Sequence, residues 1–280
     1  MTTIGVPPTQ VFGGTVAGSS ATSSGRREAR IVPELIDYNR VARQYQSGRG
    51  LSQNTLDAWR LAVSEFVPER SSPAVLDLGA GTGIFTRAWA TWCDARVVAV
   101  EPSEGMRLEA FATGIPNGST YVAGTGEFLP LRDSSVDIAW LSTVLHHFRD
   151  RDACAHELGR VVVRGGVLLI RGLFSDAGQI GWLDSFPGAD DVRARMPSIV
   201  ASVALFERYG FQQVGLREVI GGERETVGES VAWVRNLRTA DTLLASFDDE
   251  QFRVGLTNLE SLPADQPMTH SLALLAMRRG

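Results

Sequence analysis

The sequence predicts an α/β fold, a doubly wound and mostly parallel sheet with helices on both faces. Three observations carry this. Val75, Leu76 and Leu78 form a short apolar run of the kind buried on both faces of a parallel sheet. That run turns through Gly79-Ala80-Gly81-Thr82-Gly83 into a helical stretch from Ile84 to Thr91. Beyond it, short apolar strands keep alternating with longer helical segments, the order that builds parallel sheets.

The glycine turn comes first in the argument. Three glycines at every second position let the backbone bend sharply and approach a ligand without Cβ clashes. The helix that follows aims its N-terminal amides at the same place. A plain surface turn would also fit a glycine-rich loop. Asp77 sharpens the reading, because a carboxylate at a buried strand end is costly unless something pairs with it. A second strand, Arg96–Val100, ends in Glu101, 18 residues after Gly83. An acid about 20 residues beyond such glycines holds ribose hydroxyls in dinucleotide folds. The dinucleotide fingerprint needs glycine at its first, third and sixth positions. Here the sixth position is Ile84 and the third glycine stands at the fifth. The glycine that hugs a pyrophosphate is missing, which weighs against NAD. Asp77 suits a ligand with a positive end, such as an amino acid's ammonium.

Residues 75–83 resemble motif I of the class I S-adenosylmethionine (SAM)-dependent methyltransferases. The resemblance runs from Leu35 to Arg279 and is strongest over 74–172. It is of the small-molecule, natural-product type, similar to the methyltransferases of ubiquinone and menaquinone biosynthesis. It implies a Rossmann-like sheet of seven strands with the seventh antiparallel. It also implies a SAM site, with S-adenosylhomocysteine as product and no metal. Asp77, Gly79, Ala80, Gly81 and Gly83 would hold the methionine end, and Glu101 with Pro102 the ribose.

The remaining elements follow in order. Residues 1–28 are rich in Gly, Ser, Thr, Ala and Pro and read as a disordered tail. Residues 29–70 read as a helical cap, with helices over Glu34–Ser47 and Ser52–Phe66 and Ser52 as an N-cap. Tyr38 and Tyr45 share a helix face. They are either an amphipathic stripe or a lid over the site; the family carries Tyr, Ala and Tyr in this order, here Tyr38, Ala42 and Tyr45. Arg49 follows on the same face. From 71 to 280 the chain reads as the cofactor-binding domain. Ser103 is the expected N-cap of the next helix. Met106 there is either core or, by the resemblance, packing against adenine. Thr120–Val122 is a third strand, running into Thr125-Gly126-Glu127. Thr125 stands where the family carries the acid that meets adenine. Gly126 keeps a backbone contact, and Glu127 is either a ligand or a helix-end charge.

Strand four, Ser135–Leu141, carries the family marker Asp137 and runs into Ser142, with His146 and His147 just beyond. Carboxyl ends of strands are where ligands bind in open α/β sheets. The histidines read either as a satisfied pair at a helix start or as a general base, which natural-product O-methyltransferases have been thought to use. His156 reads as structural and His270 as solvated. Strand five is Val167–Arg171. Residues 173–197 read as a flexible substrate lid whose Phe174, Trp182 and Phe186, with Tyr38 and Tyr45, meet an apolar acceptor. Ser198–Arg208 is a helix ending near Gly210, Val214–Ile220 is strand six, and Leu272–Arg278 is the last strand. Residues 222–268 read as an inserted helical segment.

Composition narrows the partners. The chain has 280 residues, enough for one full α/β core with extra elements, and a net charge of −5. Its 27 basic residues are all arginine. An acidic chain without a basic run is a poor match for nucleic acid. Cys93 and Cys154 lack metal spacing, which suits a reduced, cytoplasmic setting. No membrane span or export signal is legible. The expected partner is a small-molecule acceptor, with a homo-oligomer left open. The alternatives are a protein that binds SAM without methyl transfer and a methyltransferase of a macromolecule.

Overall fold

A computed structural model describes residues 36–48, 50–68, 70–221 and 226–280. The expected tail at 1–28, Glu34 and Leu35 at the expected start of the first helix, Arg49 and residues 222–225 lie outside the described residues, and the helix observed begins at Tyr38.

Five parallel strands form the centre: β1 (Ala74–Leu78), β2 (Arg96–Val100), β3 (Thr120–Val122), β4 (Val136–Ser142) and β5 (Val162–Gly172). A short β6 (Gln179–Ile180) follows, then β7 (Phe211–Ile220) and β8 (His270–Arg279). The main order is β3-β2-β1-β4-β5-β8-β7, with β8 antiparallel to both its neighbours. Ser271 pairs with Gln179 on one side and Ile220 on the other, so β6 prolongs the line of β5 beside β8. The seven-stranded sheet with an antiparallel last strand is therefore present, extended by the two residues of β6.

Alternation along each strand separates two apolar layers. Val75, Val97, Ile138, Trp140, Val167, Leu169, Leu274 and Ala276 meet α2 (Gln53–Ser64) and α3 (Ile84–Cys93), through Trp59, Val63, Phe85, Ala88 and Trp89. Leu76, Leu78, Leu141, Leu168, Ile170, Leu275 and Met277 face the other way. They meet α5 (Arg151–Val161) and α7 (Ile199–Glu207) through Cys154, Leu158, Ile199 and Phe206. Ser52, Ser103, Asp150 and Ser198 each accept a backbone N–H at the start of α2, α4 (Glu104–Thr113), α5 and α7.

Residues 173–197 are not a loose lid. They contain β6, a 3-10 turn at Leu183–Ser185 and α6 (Ala189–Ala194). Leu173, Trp182, Leu183, Phe186, Val192 and Met196 pack with Val227, Val234, Leu237, Leu244, Phe247 and Leu259 into a third apolar core. The latter residues come from α8 (Val227–Asn236), α9 (Thr242–Ala245), α10 (Asp249–Glu260) and their joins. Two segments that looked separate in sequence thus make one capping lobe. Large aromatics anchor it: the Phe186 and Phe247 rings stack at 4.9 Å.

The first helix, α1 (Tyr38–Gly48), bridges this lobe and the sheet domain. Asn39 Oδ1 accepts from Ser103 Oγ at 2.9 Å and from the Gly105 N–H at 3.0 Å. At its other end the Trp233 indole donates to the Gly48 carbonyl at 2.8 Å.

Candidate active site

The site lies at the carboxyl edge of the parallel strands. Gly79, Gly81 and Gly83 have φ of +69°, +55° and +87°, a region L side chains rarely occupy. A Cβ on Gly79 would come within 2.6 Å of Val144, and one on Gly83 within 2.5 Å of the Tyr121 hydroxyl. A Cβ on Gly81 would meet nothing within 4 Å, so the loop stays open on that side. The loop is tied to β2 by the Gly79 N–H, which donates to the Val100 carbonyl at 2.8 Å.

Glu101 is buried, and each of its oxygens is oriented by the backbone. Oε2 accepts the Gly81 N–H and Oε1 the Ser103 N–H, both at 2.9 Å. Each oxygen has a further lone pair for a ligand hydroxyl. Burial raises its pKa above the ordinary carboxylate value. Asp77 is buried too and accepts from Thr86 Oγ1 at 2.6 Å. Desolvation, with Glu101 nearby, pushes its pKa up to about 7 against the opposing hydrogen bond from Thr86.

These groups open on a cavity of about 400 Å³. Gly79, Gly81, Glu101, Pro102, Met106, Thr125, Gly126, Glu127 and Ser142 are among the residues that line it. A smaller lobe of about 70 Å³ continues it and holds Asp77 and Ala80. Gly83 instead caps α3, outside both spaces. Met106 is buried as well as cavity-lining. Glu127 accepts the Arg149 N–H at 3.1 Å, just ahead of α5, while still lining the cavity. A Cβ on Gly126 would come within 2.6 Å of the Phe148 ring and 2.9 Å of Cys154 Sγ. This donor set suits a nucleoside with an amino-acid tail: one buried acid for a ribose, one for an ammonium, and a loop of open backbone between them.

The same cavity also has an aromatic and polar lining. His146 and His147 stand on a 3-10 turn, Leu145–His147, their rings 4.1 Å apart. The turn follows Thr143, a β-branched residue held at φ +54°. His147 Nε2 is 3.1 Å from the Tyr38 hydroxyl and 3.4 Å from Thr242 Oγ1. Tyr38 and Thr242 are themselves 3.3 Å apart, so the three groups form one small network. Tyr45 lies edge-on to Tyr38, and both line the cavity with Trp182, Trp233 and Met196.

Several residues stand elsewhere than the sequence suggested. Phe174 belongs to the core under the sheet, and Phe186 to the core of the capping lobe; neither lines the cavity. His270 is buried at the start of β8 and accepts the Gly181 N–H through Nδ1 at 3.3 Å. It lines the cavity because β8 runs antiparallel, which brings its beginning to the carboxyl edge. Asp176 accepts the Ile199 N–H at the start of α7 at 2.7 Å. Arg171, Asp241, Thr242 and Trp233 were missed as site residues. Only the charge of Arg171 at a strand end could have signalled one of them. Among the described residues no group of three or more His, Cys, Asp or Glu could hold a metal ion.

A doubly wound sheet with an antiparallel last strand and a nucleoside-sized cavity beside a glycine loop is the architecture of class I methyltransferases. The family model described as a methyltransferase domain matches residues 76–170, the stretch that runs from β1 into β5. Over 148 residues the chain is 36% identical to a demethylmenaquinone methyltransferase of Thermobifida fusca, covering 51% of this chain and 61% of that one. It is 31% identical over 132 residues to a malonyl-[acyl-carrier protein] O-methyltransferase of Yersinia pestis, covering 47% of each. The chain thus spans less than two thirds of the length of these curated relatives. The solved structure of the [4+2]-cyclase SpnF matches with a TM-score of 0.61, over 86% of this chain and 93% of that one. Its 18% identity makes that a likeness of fold alone.

Proposed function

We propose that this chain is a SAM-dependent methyltransferase acting on a small, largely apolar acceptor. The observation that carries the reading is that the His147 network and the Glu101 glycine loop line one and the same cavity.

When bound, SAM supplies a methyl group activated by its sulfonium. Glu101 would take the ribose hydroxyls, held ready by the amides of Gly81 and Ser103. Pro102, Met106, Thr125, Gly126 and Glu127 would surround the adenine, and Ser142 would border the methionine end. Tyr38, Tyr45, Trp182 and Trp233 would seat the acceptor and exclude water. Much of a methyl transfer's rate comes from such alignment. Where the acceptor is a hydroxyl or an acidic carbon, His147 would accept its proton, with His146 beside it. Tyr38 and Thr242 hold the Nε2 edge of His147 in place meanwhile. The cavity's aromatic wall and the curated relatives' names support a role in making quinones or other secondary metabolites, by O- or C-methylation, with N-methylation the remaining option. Among the described residues no helix is long and apolar enough to cross a membrane.

The test is isotopic. Purified protein is given SAM carrying a labelled methyl and a panel of hydroxyl, acidic-carbon and amine acceptors with aromatic or prenyl bodies. Label is expected on a hydroxyl or carbon acceptor. Tight SAM binding with no transfer across the panel and source extracts would favour the non-catalytic alternative. Preference for NAD over SAM would overturn the cofactor.

A further inference from the structure

We infer that Thr143, Val144 and Phe148 are positioning residues of the reaction: they pin the turn that carries His146 and His147 onto two glycines of neighbouring loops, and so fix the imidazoles within the cavity. The inference rests on the methyltransferase reading above and adds to it what holds the histidine pair in place.

The turn is short, and both its ends are anchored. Leu145–His147 form a single 3-10 turn, closed by the His147 N–H, which donates to the Val144 carbonyl at 2.8 Å. At its start, Val144 fills the space beside Gly79, where an added Cβ would come within 2.6 Å of Val144 Cγ1. At its end, the Phe148 ring fills the space beside Gly126, again within 2.6 Å of an added Cβ. Gly79 follows β1 and Gly126 follows β3, and both line the cavity. Between these contacts Leu145 is buried in the core shared with α5 and α7. The histidines therefore ride between two fixed points, each on a loop of the cavity wall.

The joint ahead of the turn is strained. Thr143 has φ of +54°, which β-branched residues avoid and glycine or asparagine reaches at lower cost. Such a conformation persists only where its surroundings over-determine it. Here the Thr143 N–H donates to the Arg171 carbonyl at 2.7 Å, one step beyond the last paired residue of β4. On its other side Val144 is already seated against Gly79. The left-handed residue turns the chain off the sheet edge and back onto the glycine loop. A branched side chain also stiffens the joint, because it restricts χ1 and its own backbone. Glycine would make the same bend without strain and leave it loose. In a reaction governed by alignment, a misplacement of about 1 Å can cost about 100-fold, which is why a stiff joint matters.

The test reads kcat, Tm and the ring signals of the four histidines by NMR, all on the full chain. Thr143→Gly relieves the strain, so Tm should hold or rise. Its kcat should fall about ten- to hundredfold while the KM for SAM stays nearly constant. The ring signals of His146 and His147 should broaden or double, and those of His156 and His270 should not move. Thr143→Asn, which accepts left-handed backbone without a branch, should fall between wild type and glycine. Gly126→Ala displaces Phe148 and should slow transfer; adding Phe148→Leu should restore part of the rate, since the two side chains share one space. Wild-type kcat and unchanged ring signals in Thr143→Gly would overturn the inference. A fall in kcat matched by a fall in Tm, with sharp ring signals, would overturn it too and leave Thr143 as a plain structural turn. The ring signals need no acceptor. A wild type that transfers no methyl would therefore sink the proposed function, while the signals still decide the inference.

Discussion

Tyr38 Oη stands 3.1 Å from His147 Nε2, so a helix 109 residues upstream closes on the histidine pair. The same hydroxyl reaches Thr242 of the capping lobe at 3.3 Å. Three parts of the chain, α1, the turn after β4 and α9, therefore meet at one imidazole. If the acceptor is a hydroxyl, His147→Ala should lower kcat by about 10²–10⁴-fold, the usual worth of a general base. SAM affinity should stay nearly constant. Tyr38→Phe removes the neutral hydroxyl that meets His147 and Thr242 and should cost about tenfold or less in kcat. The pH dependence of kcat for the three proteins is the check. Superimposable profiles with rates within a few-fold would rule out histidine as the base.

Glu101 holds two backbone amides and faces the cavity at once. Glu101→Ala should weaken SAM by about 1–3 kcal/mol, through unpaired ribose hydroxyls. It should also lower Tm, because the N–H groups of Gly81 and Ser103 lose their acceptor. Glu101→Gln keeps one acceptor oxygen and should fall between. Unchanged SAM affinity in Glu101→Ala, read by calorimetry, would place the ribose elsewhere.

The raised pKa of Asp77 makes stability depend on pH. Its folded value of about 7 exceeds the ordinary 3.8, so between these the folded chain binds more protons than the unfolded one. This group's contribution to stability is then greatest in acid and falls as pH rises from about 4 to about 7. Thr86, Glu101, Arg87 and the Tyr121 hydroxyl face the same carboxyl and share in its titration. A bound ammonium favours the ionised form, so SAM affinity should rise across that window with a proton released. Asp77→Asn should flatten both curves, which thermal melts and calorimetry in buffers of different ionisation heat would read.

Gly126 touches Phe148 and Cys154 so closely that a methyl group cannot enter. Gly126→Ala should cost about 1–3 kcal/mol by overpacking. The shift should appear in Tm and, through the moved loop, in SAM affinity. A melt unchanged from wild type would mean the loop yields freely.

Phe186 fills the capping lobe against Phe247 and Gly255. Phe186→Ala should cost about 3–5 kcal/mol of that lobe's stability. Because Phe186 lines no part of the cavity, the acceptor's KM should rise only through loosening of the lobe. Limited proteolysis should cut first within 173–197 or 226–268 while the sheet domain survives. Cleavage spread evenly over the chain would show that the lobe and sheet unfold together.

The seven main strands, the glycine turn and the acid ending β2 were determined by the sequence alone. Their signals are local: an apolar run, glycines at alternate positions, and N-capping serines beside the helices they start. Each needs only neighbours a few residues away, so periodicity and turn chemistry suffice to read it. Tertiary structure decided the rest. Aromatic content marked Phe174 and Phe186 for the acceptor, yet burial sent them to two different cores. His270 reached the cavity only because β8 runs backwards through the sheet. Arg171 was hidden in a strand buried on both faces, where apolar neighbours give no sign of which wall a charge will reach. Tyr38, His147 and Thr242 are separated by 109 and 95 residues and share no local pattern. What joins them is the packing of α1 and the capping lobe over the sheet edge, and a packed interface between distant segments leaves no periodic mark in either.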